Sequence, residues 1–387
     1  MLQNSFTLFR ANVRLERLPP VIKWAGGKEA ELKYILPNIP DRFERYFEPF
    51  VGGGAVYFSL DCDELLVNDK STELMTLYKL IQRNDDEFFT RLFEINRNWR
   101  LLEQIVEHNA DQFAAIYQNS TPPSVTLLQI KDWVTEFVIQ HADNFNSILS
   151  TSFNLDLENF IHEVIRNLTN KLGRMREIER VKGQLSPADV LDNVESALKS
   201  AFYMHFRRLY NKSKDYGINE SFGAAIFYFV REFCYAAMFR YNRRGEFNVP
   251  YGGIQYNRKD FHKKISAMRS KPYQEHFLKT RLFSLDFEEF LEAQQPSTDD
   301  FVFVDPPYDS DFSTYTKNLF GREDQIRLAD YLLRCPARFM LVIKNTEFIN
   351  ELYSDKGLRI DAFDKRYTVS FQNRNDKNAE HLLIMNY

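Results

Sequence analysis

The stretch FVFVDPPY, residues 301–308, decides the fold because it joins a buried strand to a stiff acidic turn. Its four leading residues are apolar and predict a buried strand. Asp305, Pro306, Pro307 and Tyr308 then stand at the carboxyl end of that strand. Each proline ring fixes its own φ and biases the residue before it away from helix, which stiffens the turn. In an open α/β sheet, this end of a strand is where the ligand usually binds.

The chemistry of this turn suits a planar ring that carries an exocyclic amine. The Asp305 side chain and the Pro306 carbonyl are two acceptors that can point at one place, with the flat face of Tyr308 beside them. The same residues equally fit an ordinary strand ending with a capping Asp. The rest of the chain has to separate these two interpretations.

Length and composition predict a large soluble protein that stays in the cytoplasm. A chain of 387 residues exceeds one compact core, so we expect one domain with an insertion, or two domains. No apolar run of about 18 residues and no leader peptide is present, so no membrane association is expected. The three cysteines, Cys62, Cys234 and Cys335, are odd in number and far apart, which favours a reduced setting. The seven histidines have no close metal-ligand spacing, so we expect no metal.

Charge is distributed unevenly along the chain. The net charge is −4, yet residues 203–281 hold 16 Lys and Arg against 6 Asp and Glu, a local balance of +10 that leaves −14 elsewhere. Such separation predicts one basic face that binds phosphates. A charge-rich surface without a partner is the competing interpretation.

Glycine turns precede the central stretch in the sequence. VIKWAGGK (21–28) brings an apolar run to a glycine pair, and a helix is predicted over 29–36. RYFEPFVGGG (45–54) predicts a strand that enters a glycine turn, followed by a helix over AVYFSL (55–60). Three glycines let the backbone approach a ligand closely, but no GK[ST] follows, which excludes a phosphate-binding P-loop.

A second predicted strand, LLVND (65–69), ends in an acidic residue. Asp69 stands where ribose hydroxyls are held in nucleotide-binding folds. A lone Asp at this place also fits a helix cap for STELMTLYKLI. Both interpretations stay open from the sequence.

The middle of the chain has a different pattern of apolar residues. Apolar residues recur at helical spacing from about residue 84 to 200, which predicts a helical insertion whose Trp and Phe residues serve packing. RYNRRGEFNVPYGG (240–253) then predicts a turn-rich loop that presents arginine forks and asparagine amides, the groups that read base edges. Further strands are predicted at 281–287, 338–345, 367–371 and 380–387, with a helix at about 322–334.

With these pieces assembled, the sequence resembles the Dam-like, D12 class of DNA adenine-N6 methyltransferases. The resemblance rests on KWAGGK (23–28), FEPFVGGGAVYF (47–58), RYNRRGEFNVPYG (240–252) and DPPY (305–308), which stand in the family's order. It covers most of the chain except the amino-terminal arm and the helical insertion. The combination is far more specific than any one block.

The resemblance implies an S-adenosylmethionine site and a methyl-acceptor pocket. The implied cofactor residues are Trp24, Lys28, Phe50, Gly52, Gly53, Gly54, Asp69, Asp286 and Asp305, with Asp69 on the ribose, Lys28 near the cofactor carboxylate and Asp286 on the adenine. The implied catalytic residues are Asp305, Pro306, Pro307 and Tyr308. The implied DNA contacts are Lys23, Tyr235, Arg240, Asn242, Arg243, Arg244 and Asn248.

The chemistry of the turn agrees with this assignment. A base inside a duplex must leave the stack before its amine can react. Two acceptors on the amine N–H groups favour a lone pair aimed at the methyl donor, so transfer is one direct displacement governed by positioning. No covalent intermediate is needed.

One block departs from the family pattern. The family's Tyr-Asn-Gly run is replaced by Tyr235, Ala236 and Ala237, whereas Arg240 matches the arginine aimed at a guanine. We therefore expect a short adenine-containing site and do not assign it to GATC. Methylation of another planar amine (an RNA base, cytosine N4 or a protein glutamine) and an inactive DNA-binding module remain alternatives.

The expected fold is α/β, a Rossmann-like methyltransferase fold with a mostly parallel twisted sheet and an inserted, largely helical DNA-recognition domain. The expected organisation is an arm at 1–18, a catalytic domain at 19–95 and 275–387, and the insertion with target recognition at 96–274. The expected partner is double-stranded DNA, with a possible restriction endonuclease alongside. We expect a monomer, nucleoid-associated in the cytoplasm of a bacterial or phage-infected cell.

Overall fold

The protein consists of two compact units. The computed structural model describes residues 12–149, 153, 155–238, 240–307, 320–366 and 378–387. One unit combines Met1–Asn84 with Ala267–Tyr387, and the other is Asp85–Ser266. Tyr308 and the strand predicted at 367–371 lie outside the described residues.

Seven strands of the described residues form one sheet in the first unit, in the order β3-β2-β1-β4-β5-β7-β6. The strands are β1 Arg45–Glu48, β2 Glu64–Asn68, β3 Thr280–Phe283, β4 Phe301–Val304, β5 Arg338–Lys344, β6 Arg359–Arg366 and β7 Asn378–Met385. Strands β1 to β5 pair in parallel, whereas β7 runs antiparallel to both β5 and β6. The predicted mostly parallel α/β fold is confirmed.

The strand order reverses between β1 and β4. Strands β2 and β3 extend the sheet on one side of β1, and β4 pairs with its other side through Tyr46 opposite Phe301 and Phe47 opposite Val302. A parallel sheet has a crevice at such a reversal, outside the carboxyl ends of the two strands. The segments that follow β1 and β4 therefore share one place.

Burial explains the uninterrupted apolar run of β4. All four of its residues are buried, because both faces of a parallel sheet are covered. Val302 and Val304 belong to a core that includes Phe290 and Leu328. The first unit's helices are α1 Leu32–Ile35, α2 Thr72–Gln82, α11 Lys271–Leu278, α12 Phe287–Gln294, α13 Arg322–Arg334 and α14 Glu347–Tyr353.

The second unit is helical, as predicted for the insertion. Its helices are α3 Asp86–His108, α4 Ala110–Ser120, α5 Leu127–Gln140, α6 Ala142–Ile148, α7 Leu157–Lys182, α8 Pro187–Asn211 and α9 Glu220–Phe233, and α10 Phe261–Met268 spans the boundary. Trp99 is 2% exposed and contacts Phe202 and Phe233, which confirms its predicted packing role. None of the described helices is long and apolar enough to cross a membrane.

The structure differs from prediction at three short elements. The helix predicted at 55–60 is a single 3-10 turn, Tyr57–Ser59, because the backbone becomes extended again at Leu60. The helix predicted at 29–36 is shorter, Leu32–Ile35, and continues as the 3-10 turn Leu36–Asn38. Strand β6 was not predicted, since it lies at the sheet edge and its sequence, RIDAFDKR, is mostly charged.

Candidate active site and nucleic-acid interface

Asp305 follows β4 directly and is ion-paired with Lys28. The Lys28 ammonium donates to Asp305 Oδ2 at 2.5 Å and to the Gly26 carbonyl at 2.7 Å. The Lys28 side chain is 3% exposed and that of Asp305 is 17% exposed, so little water screens the pair. The lysine predicted near a cofactor carboxylate thus contacts the predicted catalytic carboxylate in this structure.

The proline turn after Asp305 is anchored from α13. The buried Gln325 amide donates from Nε2 to the Pro307 carbonyl at 3.1 Å. Pro306 is buried, and Pro307 is exposed. Prediction from sequence missed Gln325, because only the tertiary packing of α13 brings it to the turn.

The glycine turn after β1 is packed against Trp24. A Cβ added to Gly52 would lie 2.8 Å from Trp24 Cδ1, and one added to Gly53 would lie 2.9 Å from the Ile22 carbonyl oxygen. Gly52 and Gly54 also have positive φ, +48° and +74°, which favours glycine. Gly52 and Gly53 are therefore required by close packing of the 21–28 segment, a reason that the sequence did not reveal.

Asp69 ties the glycine turn to the start of α2. Its Oδ2 accepts from the Gly52 N–H at 3.0 Å, and its Oδ1 accepts from the Ser71 N–H at 2.9 Å. Ser71 itself caps α2, so the alternative that Asp69 is the cap is wrong. Burial raises the pKa of Asp69, while these two backbone donors lower it.

Glu48, at the end of β1, is a second carboxyl group at the strand reversal. It is 3% exposed, and its Oε2 accepts from the Tyr46 hydroxyl at 2.7 Å. Burial raises the pKa of Glu48 well above its ordinary value, and the Asp305 carboxylate raises it further. The prediction missed Glu48, although the FEPF run carries it into the glycine turn.

Asn68 forms hydrogen bonds that join three strand ends, and the sequence analysis did not identify it. Its Nδ2 donates to the carbonyls of Pro49 at 3.0 Å and Leu285 at 3.1 Å, and its Oδ1 accepts from the Leu285 N–H at 2.8 Å. The segments that follow β1, β2 and β3 are thereby held at the same edge. The sequence signal that could have identified Asn68 is a side-chain amide at the end of a predicted apolar strand.

The two remaining cofactor candidates of the first unit, Asp286 and Phe50, are half-buried. Asp286 caps α12 and accepts from Arg327 Nη2 at 2.7 Å. Phe50 packs against Phe287 and Phe320, with ring centroids 5.5 Å and 5.4 Å apart. Among the described residues, no group of three or more His, Cys, Asp or Glu is arranged to hold a metal ion.

In the second unit, residues 240–248 form a tight β-hairpin. Tyr241 and Phe247 pair as an antiparallel β-bridge. Arg240 donates from Nε to the side-chain oxygen of Asn248 at 2.8 Å and from Nη2 to the backbone carbonyl of Asn248 at 3.2 Å. The side-chain oxygen of Asn242, Oδ1, accepts from the backbone N–H of Arg244 at 2.9 Å and from that of Glu246 at 3.0 Å. These two bonds define the conformation of the hairpin tip. Arg243 and Arg244 are exposed at that tip.

One face of α8 holds the returning strand of this hairpin. Tyr203 and Arg207 donate to the Val249 carbonyl at 2.9 Å and 3.1 Å, and Asn211 donates to the Phe247 carbonyl at 3.0 Å. These three residues recur at every fourth position and so share one helix face. Burial lowers the pKa of Arg207. Part of the predicted basic face is therefore used inside the unit.

The segment before the hairpin presents Tyr235, which is 48% exposed. Ala236 and Ala237 after it both have φ of +52°. Left-handed backbone costs a residue with a Cβ about 1–2 kcal/mol and is adopted most readily by Gly and Asn. Ala236 and Ala237 thus adopt the left-handed conformation that Asn and Gly, the residues of the Tyr-Asn-Gly run, adopt more readily. The remaining DNA candidate, Lys23, is exposed in the first unit.

Comparison with known proteins identifies the family. The family model of the D12 class N6 adenine-specific DNA methyltransferases matches residues 24–121 and 135–369. The Type II methyltransferase M.MjaIII of Methanocaldococcus jannaschii is 27% identical over 95% of this chain and 99% of its own. The Type II methyltransferase M.CviBI of Paramecium bursaria Chlorella virus NC1A is 24% identical over 96% and 100%. The DNA adenine methylase of Escherichia coli K12 is 22% identical over 94% of each chain.

Proposed function

Because the chain belongs to the D12 class of N6 adenine-specific DNA methyltransferases, we propose that it moves a methyl group from S-adenosylmethionine to N6 of a flipped adenine in double-stranded DNA. Site-specific methylation of DNA adenine is the activity of this family. One observation carries the assignment of the site. The glycine turn and Asp305 follow adjacent parallel strands, β1 and β4, at the reversal of the strand order.

The residues at this reversal fit S-adenosylmethionine. Each Asp69 oxygen receives one backbone N–H and keeps a lone pair for a ribose hydroxyl. Asp305 supplies a carboxyl group in a region where burial strengthens attraction to a positively charged ligand. When bound, the cofactor supplies an electrophilic methyl group on a sulfonium. Trp24, Lys28, Phe50, Gly52, Gly53, Gly54, Asp69, Asp286 and Asp305 are our assigned cofactor residues.

Asp305 is the residue to which we assign the orientation of the amine. Its Oδ2 receives the Lys28 ammonium, so we assign Oδ1 and the Pro306 carbonyl as acceptors for the two N–H groups. A carboxylate only accepts hydrogen bonds, and that is the role we assign to Asp305. Gln325 keeps Pro307, and with it the turn, in place. Tyr308 is assigned to stack on the extruded base.

DNA recognition is assigned to the second unit. We assign phosphate contacts to the exposed tip arginines, Arg243 and Arg244, and contact with a base edge to Arg240 at the base of the hairpin. Asn242 and Asn248 act within the hairpin, so their part in recognition is to set its shape. We assign catalysis to the first unit, which contains most of the predicted 19–95 and 275–387, and recognition to the second unit, which contains most of the predicted 96–274. We propose that the protein acts as a monomer, alongside a restriction endonuclease.

Expression in a host that lacks DNA methylation tests this function. We expect N6-methyladenine in one short sequence context when the host DNA is mapped by single-molecule sequencing, and none with Asp305→Ala. The Arg240→Ala variant is expected to accept additional bases at one position of that context. A well-expressed, folded protein that leaves every adenine unmodified would refute the proposal, and methylated cytosine or RNA would identify another acceptor.

A further inference from the structure

Residues 235–238 form a strained turn in the second unit. Ala236 and Ala237 occupy consecutive left-handed positions, with φ of +52° at each. Neither alanine has a side-chain group that can stabilise this conformation by hydrogen bonding. Strained backbone persists only where its surroundings enforce it, and it is concentrated at functional sites. The partners of this turn therefore identify what enforces it.

Arg231 holds the carboxyl side of the turn. It stands in the last turn of α9 and is 2% exposed. Its Nη1 donates to the Met238 carbonyl at 2.9 Å and its Nη2 to the Ala237 carbonyl at 3.0 Å. A planar guanidinium donates two bonds in fixed directions, so it defines the relative orientation of the two carbonyls. Burial lowers the pKa of Arg231.

Tyr256 holds the amino side of the turn. Its hydroxyl accepts from the Ala236 N–H at 3.1 Å. Its ring is packed so closely on Gly252 that an added Cβ there would lie 2.3 Å from Tyr256 Cδ2. The Lys259 ammonium lies 3.7 Å from the centroid of this ring and donates to the Glu232 carbonyl. The ring is therefore fixed, and its hydroxyl has a defined place.

We propose that Arg231 and Tyr256 are positioning residues that hold the turn so that Tyr235 is presented to DNA in a preformed conformation. The inference rests on the proposed function and on the contact of Tyr235 with DNA that the family resemblance implies. A group that is already ordered before association loses less conformational freedom on binding. The strain at Ala236 and Ala237 is then carried by the folded protein and adds nothing to the cost of binding DNA.

The first test is Tyr256→Phe, which removes the hydroxyl and keeps the ring on Gly252. Tyr216→Phe is the matched control, because it removes a hydroxyl bonded to Asp156 elsewhere in the same unit. We expect DNA affinity to fall by about three- to tenfold in the first variant, the effect of one neutral hydrogen bond, and to stay unchanged in the control. Affinity for S-adenosylmethionine and kcat at saturating DNA stay unchanged in both.

Rescue separates positioning from general stability. In the Tyr256→Phe background, Ala236→Gly is expected to restore most of the lost DNA affinity, because glycine adopts the left-handed conformation without strain. Arg231→Lys, which keeps the charge and loses the paired donors, is expected to weaken DNA binding similarly. The inference is overturned if Tyr256→Phe and Arg231→Lys bind DNA like the wild type, or if Tyr216→Phe causes an equal loss.

A separate variant tests whether Tyr235 contacts DNA. Tyr235→Ala is expected to weaken DNA binding at least as much as Tyr256→Phe. If Tyr235→Ala leaves DNA affinity unchanged, the proposed contact of Tyr235 fails and the positioning role with it. If Tyr235→Ala weakens binding and Tyr256→Phe does not, the contact stands and only the positioning role is refuted.

Discussion

The ammonium of Lys28 lies 2.5 Å from Asp305 Oδ2, although the two residues are 277 positions apart in the chain. The pair joins the KWAGGK and DPPY segments at the carboxyl end of β4. Both side chains are mostly buried, so each compensates a charge that would otherwise be costly. This contact links the segment that we assign to the cofactor with the segment that we assign to the methyl acceptor.

Loss of Lys28 should destabilise the first unit as well as reduce activity. Lys28→Met leaves the Asp305 charge buried without this partner, which costs about 3–5 kcal/mol of stability. The double variant Lys28→Met/Asp305→Asn has no buried charge at this place, so it should recover much of the stability that Lys28→Met loses. Urea unfolding of the four members of the cycle measures the coupling, and the exposed Lys271→Met is the control. Additive losses would show that the pair contributes no coupling.

Asp305→Asn should abolish most turnover without abolishing binding. The amide has nearly the shape of the carboxylate but replaces an acceptor oxygen with a donor, so the amine is no longer oriented. We expect kcat to fall by at least about a hundredfold. Calorimetry should show retained binding of DNA and of S-adenosylmethionine, because the amide keeps one oxygen acceptor and the other assigned cofactor residues are unchanged. The fully exposed Asp63→Asn serves as control, and wild-type turnover in Asp305→Asn would disprove the assigned mechanism.

Removal of the two hairpin-tip arginines should weaken binding to all DNA sequences alike. Arg243→Ala/Arg244→Ala removes two exposed cations, so the slope of log affinity against log salt should become shallower by about 2. Fluorescence anisotropy on specific and unrelated duplexes at several salt concentrations measures this slope. Arg334→Ala, at an exposed ion pair of the first unit, should not change it. An unchanged slope in the tip variant would place the phosphate contacts elsewhere.

Two buried histidines should make stability fall in mild acid. Burial lowers the pKa of His276 to about 3 and that of His205 to about 4, from an ordinary value of 6.5. Below pH 6.5 the unfolded chain therefore binds protons that the folded chain does not. Stability should decrease by about 1.4 kcal/mol per pH unit for each histidine as pH falls from 6.5 towards 4.

Urea unfolding at several pH values measures this dependence. His276→Gln should reduce the slope, because one proton-binding difference is removed, whereas the exposed His108→Gln should leave it unchanged. Arg14 supports the neutral form of His276, since Arg14 Nη2 lies 3.0 Å from its Nδ1. Equal slopes in the two variants would exclude His276 as a cause.

The local elements were mostly predictable because local stereochemistry determines them. An apolar run followed by two prolines predicted β4 and its turn, and amphipathic spacing predicted α13 at the bounds observed, Arg322–Arg334. The helix predicted at 55–60 is a single 3-10 turn, because the backbone becomes extended again at Leu60. The mostly charged edge strand β6 offered no clear pattern.

By itself, the sequence determined the parallel α/β fold, the helical insertion and the family, since these follow from periodicity, turn chemistry and the order of four motifs. Only the tertiary structure decided the partners of the motif residues. Lys28 joins Asp305, Asp69 joins Gly52, and Arg207 supports the hairpin from α8. The reason is that such contacts depend on which strands become neighbours and which faces pack. Local chain preferences carry no information about either.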